Sequence, residues 1–214
     1  MRFTVGGEIV MARVDDYINA KKIATEKLSG EPPDEISKRS GYGSFEKNRF
    51  RIPFLNRVYI VSWPGFEFTD ESDAKKDVPL QEQILILHYL AAKGENRLSG
   101  RWISFREIPG AAFYYSAFVK RAVDPLKKTF GKKAGLFVKA AGELGGKAID
   151  AGNAGFEFGL FPCVSLQLIL WEGDEEFAPE ANILFYDTIG YIFSPEDVAW
   201  LSGMLVYRLM AMAR

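Results

Sequence analysis

Cysteine and histidine are each nearly missing from the 214 residues, with Cys163 and His88 the lone examples. A single thiol excludes an internal disulfide. It also excludes a structural zinc or iron–sulfur site built from the cysteines of this chain alone. Such sparse cysteine fits a reducing, cytoplasmic setting. A Ser-His-Asp or Cys-His nucleophile would need His88 to face Cys163 or a serine such as Ser104, and no local spacing joins them. Long apolar runs are lacking too. Val198 to Tyr207 is broken by Ser202 and Gly203 and falls short of the roughly 20 residues a bilayer-spanning helix takes. The opening Met1-Arg-Phe-Thr-Val-Gly-Gly-Glu has no apolar signal core followed by a small-residue cleavage site, so no secretory leader is expected. Internal repeats, low-complexity tracts and a domain-separating linker are absent, and one domain over 1–214 is expected.

Basic residues are missing from Ala148 to Tyr207, where ten acids occur. Just upstream, Lys120 to Lys139 holds seven bases against Asp124 alone. With a net charge of −1 and an acidic final third, nucleic acid is not an expected partner, although Arg49 and Arg51 add to the basic stretch. A basic helix lying near an acidic hairpin of the same fold accounts for the asymmetry.

What is present is 48% hydrophobic and 14% aromatic, enough for a substantial core. The most informative stretch runs from Phe156 to Asp197. Phe158 to Trp171 and Glu180 to Asp187 are apolar runs joined by Glu172-Gly-Asp-Glu-Glu-Phe-Ala-Pro179, which predicts a β-hairpin. A register that sets Trp171 against Glu180 places Leu166, Leu168 and Leu170 opposite Phe185, Ile183 and Ala181 on one apolar face. The other face then carries Ser165, Gln167, Ile169 and Trp171 against Tyr186, Leu184, Asn182 and Glu180. That face is half polar and suited to a helix or a ligand.

Elsewhere, alternation of Phe50, Ile52 and Phe54 with Arg49, Arg51 and Pro53 predicts a strand, and Pro53 puts it at an edge or ends it. Glu31 to Ser44 reads as a polar loop, and Arg101 to Ile108 as extended. Ser194-Pro-Glu-Asp197 is a strong helix start, with Ser as N-cap and Pro at N1, and Gly94 is the expected stop of an earlier helix. The class is α+β. Antiparallel hairpins at about 48–68 and 157–187 are expected to pack against helices at about 13–28, 80–92, 111–130, 136–149 and 195–213. The helix at 111–130 is expected to bend at Pro125, and that at 136–149 is weakened by Gly142, Gly145 and Gly146.

Candidate site residues follow from chemistry. Glu172, Asp174, Glu175 and Glu176 offer carboxylate oxygens to a hard cation, but without EF-hand spacing, and a solvated turn is the better account of them. Asp174, Glu176 and Asp187 are candidate acid/base groups, with His88 as a further catalytic candidate against its reading as a core residue. Trp102 and Trp171 are candidates to line an apolar ligand pocket, and Arg106 and Glu107 to supply a cation and a carboxylate at its rim. Leu144-Gly-Gly-Lys147 is not a phosphate loop, since it lacks the first glycine and the Ser/Thr after lysine.

Several of these stretches together resemble an uncharacterised family of anaerobic bacteria and archaea, domain of unknown function 3786. They are Leu85–Leu90, Trp102–Gly110, Leu144–Gly146, Phe161-Pro162, Trp171–Phe177, Leu184–Asp187 and the Pro195–Asp197 helix start, in order over roughly residues 80–210. Tyr186 inserted before Asp187, and Asn153 in place of an expected acid, depart from the pattern. The resemblance implies no established activity and names no cofactor. It implies a link to redox or corrinoid metabolism, with an iron–sulfur or corrinoid protein as a partner in trans. Three functions follow as expectations: a cytoplasmic ligand-binding or accessory protein, a hydrolase or transferase using the hairpin carboxylates with or without a divalent cation, and an interaction module using the acidic turn.

Overall fold

The computed structural model describes residues 6–43, 48–93 and 100–213, and these fall into two compact units. The first lies within 1–52 and 57–93, the second within 53–56 and 94–214. Ser44, Gly94 and the opening Met1–Val5 lie outside the described residues.

In the first unit, α1 (Gly6–Ser29) buries Ala24 and Leu28. The expected loop at 31–44 is corrected by α2 (Pro33–Ser40). Its composition hides a complete set of helix signals: Pro at N1, Asp34 and Glu35 in the first turn, Lys38 and Arg39 in the last, and Gly41 at φ 75° as C-cap. Ile36 is fully buried, so one apolar residue anchors an otherwise polar helix. β1 (Arg49–Phe54), β2 (Arg57–Ser62) and β3 (Phe68–Asp70) form a sheet in that order, leaving β1 at an edge, as Pro53 requires. Asp70 is buried and accepts from the Ser72 hydroxyl at 2.6 Å, the Ser72 N–H at 2.9 Å and Arg57 Nη1 at 2.9 Å. α3 (Leu80–Ala91) packs against α1 and is apolar nearly all round, as expected of a central helix.

The second unit is built on a five-stranded antiparallel sheet in the order β4-β8-β7-β6-β5. Its strands are β4 (Trp102–Ser104), β5 (Lys147–Ile149), β6 (Ala154–Phe161), β7 (Val164–Trp171) and β8 (Glu180–Tyr186). The β7–β8 register sets Trp171 against Glu180 and Leu166, Leu168 and Leu170 against Phe185, Ile183 and Ala181, as the apolar pattern required. The apolar run from Phe158 does not continue straight into Trp171, however. It folds back at Pro162-Cys163, so 157–187 holds three strands rather than two, with Phe161 paired to Val164. Pro162 cannot donate to a ladder, and that is the physical reason for the break.

Two further expectations are corrected here. Arg101–Ile108 is extended only over β4, because Ser104 and Glu107 form a capping box that starts a 3-10 turn at Phe105–Glu107. The helix expected at 136–149 is α6 (Ala134–Glu143), which stops before the edge strand β5. Gly145 at φ 79° and the bonds Gly145 N–H to Gly142 O and Gly146 N–H to Ala141 O make a Schellman ending. A Cβ at Gly146 would sit 2.7 Å from the Phe158 ring, so that glycine also admits β6.

The helices cover the apolar sheet face. A 3-10 turn (Ala111–Tyr114), α4 (Tyr115–Phe118), a π turn (Val119–Val123) and α5 (Asp124–Phe130) follow one another. Where a bend at Pro125 was expected, the helix carries that π turn, which ends at Val123, two residues before the proline. A mid-helix proline has no N–H to give and crowds the carbonyl four residues back, here that of Arg121. Phe105 and Phe118 stack at 4.2 Å and both meet Phe185, while Phe137 of α6 stands edge-on to Phe156. After α7 (Ile189–Ile192) comes α8 (Pro195–Met212), started by Ser194, whose Oγ accepts from Asp197 N–H at 3.2 Å. Gly203 brings α8 close to the π turn, where a Cβ would lie 3.2 Å from the Arg121 carbonyl. α+β is therefore the fold class, with antiparallel sheets and helices in both units.

Candidate functional site

Strand alternation assigns the second sheet face without freedom once the first is apolar. A single row crosses all five strands there: Ser104, Leu184, Gln167, Glu157 and Lys147, each the register partner of the next. Gln167 Nε2 donates to Glu157 Oε2 at 3.4 Å. In the neighbouring row Trp102 pairs with Tyr186, their rings stacked at 4.0 Å and inclined by 26°. Beyond them stand Ser165 and its partner Gly159. Nothing but the Ser165 hydroxyl, at 3.9 Å, lies near where a Gly159 Cβ would be. The surface therefore drops from an aromatic wall to a floor of small residues, with an amide–carboxylate pair beside it. Trp102, Tyr186, Gln167 and Glu157 are half-buried, and Gly159 is exposed. Burial and the nearby Glu157 charge hold the Tyr186 phenol above its ordinary range, so it is a hydrogen-bond donor at neutral pH.

Of the ligand-binding candidates, Trp102 lies in this wall. Trp171 shares the face but sits at its other end against Glu180, six residues along β8 and so roughly 20 Å away. Arg106 and Glu107 follow β4 on the 3-10 turn. The Arg106 guanidinium lies 3.8 Å from the Tyr115 ring centre. Glu107 Oε2 accepts from the Ser104 N–H at 2.7 Å and hydroxyl at 3.0 Å, which holds its carboxyl below the usual carboxylate range.

The acidic turn is tied to backbone. Glu172 Oε1 accepts from the Ala134 N–H at 3.1 Å, at the start of α6, where the helix dipole favours a negative charge. The Glu172 N–H donates to Asn153 Oδ1 at 2.8 Å, which gives the departure at 153 a structural role. Asp174 Oδ1 accepts from the Phe177 and Glu176 N–H groups at 2.7 and 2.9 Å, and these bonds keep its carboxyl below the usual range. Glu175 and Glu176 are exposed. Asp187 pairs with Arg101 at 3.3 Å, at the opposite end of β8 from Asp174. His88 lies half-buried on α3 in the first unit, and Cys163 in the second. Among the described residues, no three of His, Cys, Asp and Glu converge on a point that could hold a metal ion.

Tyr186, Gln167 and Glu157 were not among the candidates. The hairpin register already put Gln167 and Tyr186 on the half-polar face. Glu157 is brought there by the Pro162-Cys163 turn, whose one signal in the sequence is Pro162 within the apolar run.

Fold and face together define an α+β protein with a five-stranded antiparallel sheet, helices on one side and a half-exposed polar–aromatic surface on the other. A family profile described as domain of unknown function (DUF3786) matches residues 32–208, and the chain belongs to that family. The match begins at 32 rather than near 80, so it takes in α2 and the three-stranded sheet as well. No curated protein and no solved structure matches the chain. No helix among the described residues is long and apolar enough to cross a membrane.

Proposed function

We propose that this chain is a non-catalytic binding protein whose ligand lies on the half-polar sheet face, against the Trp102–Tyr186 stack. The stack carries the reading: two rings held at 4.0 Å beside the open floor at Gly159, with Tyr186, Gln167 and Glu157 as orienting polar groups. A planar ring fits an aromatic wall by stacking. The acid/base reading draws less support. Asp174 is bound to backbone, Asp187 is paired with Arg101, and the two stand at opposite ends of one strand. A docking role for the acidic turn is favoured by one observation, the 70% exposure of Phe177 beside Asp174–Glu176.

The family resemblance makes a corrinoid the first ligand to test, with any iron–sulfur centre supplied by a partner protein, since Cys163 alone cannot hold one. The low cysteine content is in keeping with a cytoplasmic setting. The test is a thermal-shift and tryptophan-fluorescence titration under anaerobic conditions with hydroxocobalamin, ATP and S-adenosylmethionine. A ligand at 100 times its Kd adds about 2.7 kcal/mol of stability, a readable shift. The expected result is a shift with one probe that Trp102→Ala and Glu157→Gln abolish and Trp171→Phe leaves intact. Binding that survives both site substitutions, or no shift with any of the three, overturns the proposal.

A further inference from the structure

Trp102 and Tyr186 come from neighbouring strands and lie face to face, so their stack runs across the sheet and Trp102 covers one face of the Tyr186 ring. The other face is turned towards Ser165 and Gly159, the next positions in that row. An aromatic face is the negative side of the ring quadrupole. Across those small residues stands Glu157 on β6, two strand spacings or about 10 Å from β8. Its Oε2 accepts from Gln167 Nε2 at 3.4 Å, and that long bond is the one hydrogen bond that the described residues make to the carboxylate. Lys147, its register partner on the edge strand β5, is exposed and forms no ion pair with it. Arg101, just before β4 and next to the wall, is paired with Asp187. The floor is therefore bordered by negative potential on two sides, from a ring face and from a carboxylate, and neither base is paired with that carboxylate.

We propose that the ligand of this face is a planar organic cation, held between the open face of Tyr186 and the Glu157 carboxylate. The assignment rests on the sheet face being a binding surface, as proposed above, and adds the sign of the charge it takes. A positive group within about 6 Å of a ring centre is attracted by the ring quadrupole, more strongly where water is partly excluded. The carboxylate adds a charge-assisted bond to the same group. A neutral ring keeps only the stacking, and an anion meets repulsion from both sides. The Glu157 charge that opposes ionisation of the Tyr186 phenol acts in the same direction, favouring a positive group above the floor. A bare metal ion does not fit, since one carboxylate supplies too few oxygen ligands and no cluster of metal-binding side chains lies among the described residues. A flat cation of the pyridinium or guanidinium kind satisfies the ring, the small floor and the carboxylate together.

One ring in three charge states tests this: 1-methylnicotinamide, nicotinamide and nicotinate, which are cation, neutral molecule and anion at pH 7. Each is titrated into the full chain, with tryptophan fluorescence and thermal shift as readouts. The cation is expected to bind at least about tenfold tighter than the neutral ring, and the anion weakest. Glu157→Gln is expected to bring the cation down to the affinity of the neutral ring while the ligand-free variant keeps the wild-type far-UV spectrum. Equal binding of cation and neutral ring, both lost in Trp102→Ala, overturns the charge assignment and leaves the binding face standing. A preference for the cation that persists in Glu157→Gln overturns it as well. Binding of none of the three also overturns it, and the binding face itself falls only if hydroxocobalamin, ATP and S-adenosylmethionine fail too.

Discussion

The Gly173 N–H donates to the Gly131 carbonyl at 2.8 Å, and this bond ties the acidic turn to the joint between α5 and α6. Both glycines are there because the approach is too close for a side chain. A Cβ at Gly131 would lie 2.4 Å from the Lys127 carbonyl and 2.5 Å from Pro179 Cβ, and one at Gly173 would lie 2.6 Å from the Pro179 nitrogen. Gly131→Ala or Gly173→Ala is therefore expected to destabilise the protein by about 1 to 3 kcal/mol, the range for overpacking. Gly142→Ala, within α6 and with nothing within 4 Å of the added methyl, is expected to stabilise by up to about 1 kcal/mol. Urea denaturation of the three variants checks the contrast, and equal signs would contradict it.

Asp70 and Arg57 form a buried pair in the first unit, and here pH is the lever. The Ser72 hydroxyl and N–H, and then Arg57, hold the Asp70 carboxyl below its ordinary range despite burial. A folded-state pKa below the unfolded one contributes stability that is fully present above the unfolded value of about 3.9 and lost as pH falls through the lower folded value. Asp70→Asn should lose about 2 to 3 kcal/mol at neutral pH, towards the low side for a buried pair because Arg57 keeps some contact with water. It should also flatten the acid limb of the stability curve. A steep limb retained in the variant would assign acid unfolding to other carboxylates.

Ser194 caps the longest helix of the second unit, and Asp197 completes the box. Ser194→Ala is expected to cost about 1 kcal/mol, and Ser194→Thr much less. Thermal unfolding of both variants measures the difference. Equal losses would show that the hydroxyl bond to the Asp197 N–H is not what the serine contributes.

Tyr186 should titrate above an ordinary tyrosine, since burial and the Glu157 charge both oppose phenolate. Ultraviolet difference titration of Glu157→Gln against wild type reads the second cause separately. The substitution is expected to move the Tyr186 transition down towards the ordinary range. A transition that does not move would remove Glu157 from the surroundings of the Trp102–Tyr186 wall.

Local pattern was enough to define the register of β7 and β8, because side-chain alternation has a period of two and a one-residue slip would expose Leu166, Leu168 and Leu170. It was enough for α8 as well, where Ser194, Pro195 and Asp197 are a complete start signal within four residues. It divided the hairpin correctly into an apolar face and a half-polar one. Alternation is silent on where an apolar run folds back, and the turn at Pro162-Cys163, with the arrival of Glu157 beside Gln167, was marked in the sequence by Pro162 alone. The end of α6 likewise required Phe158 to occupy the space beside Gly146. The carboxylates of the acidic turn looked equivalent in sequence. Contacts from distant residues and local backbone separated them, with Ala134 holding Glu172 and the Phe177 and Glu176 amides holding Asp174. Sequence alone determined which residues share a strand face or start a helix, since those depend on neighbours a few positions away. Which face stays open, and which glycines lie where chain crosses chain, was decided by contacts between residues far apart in the chain.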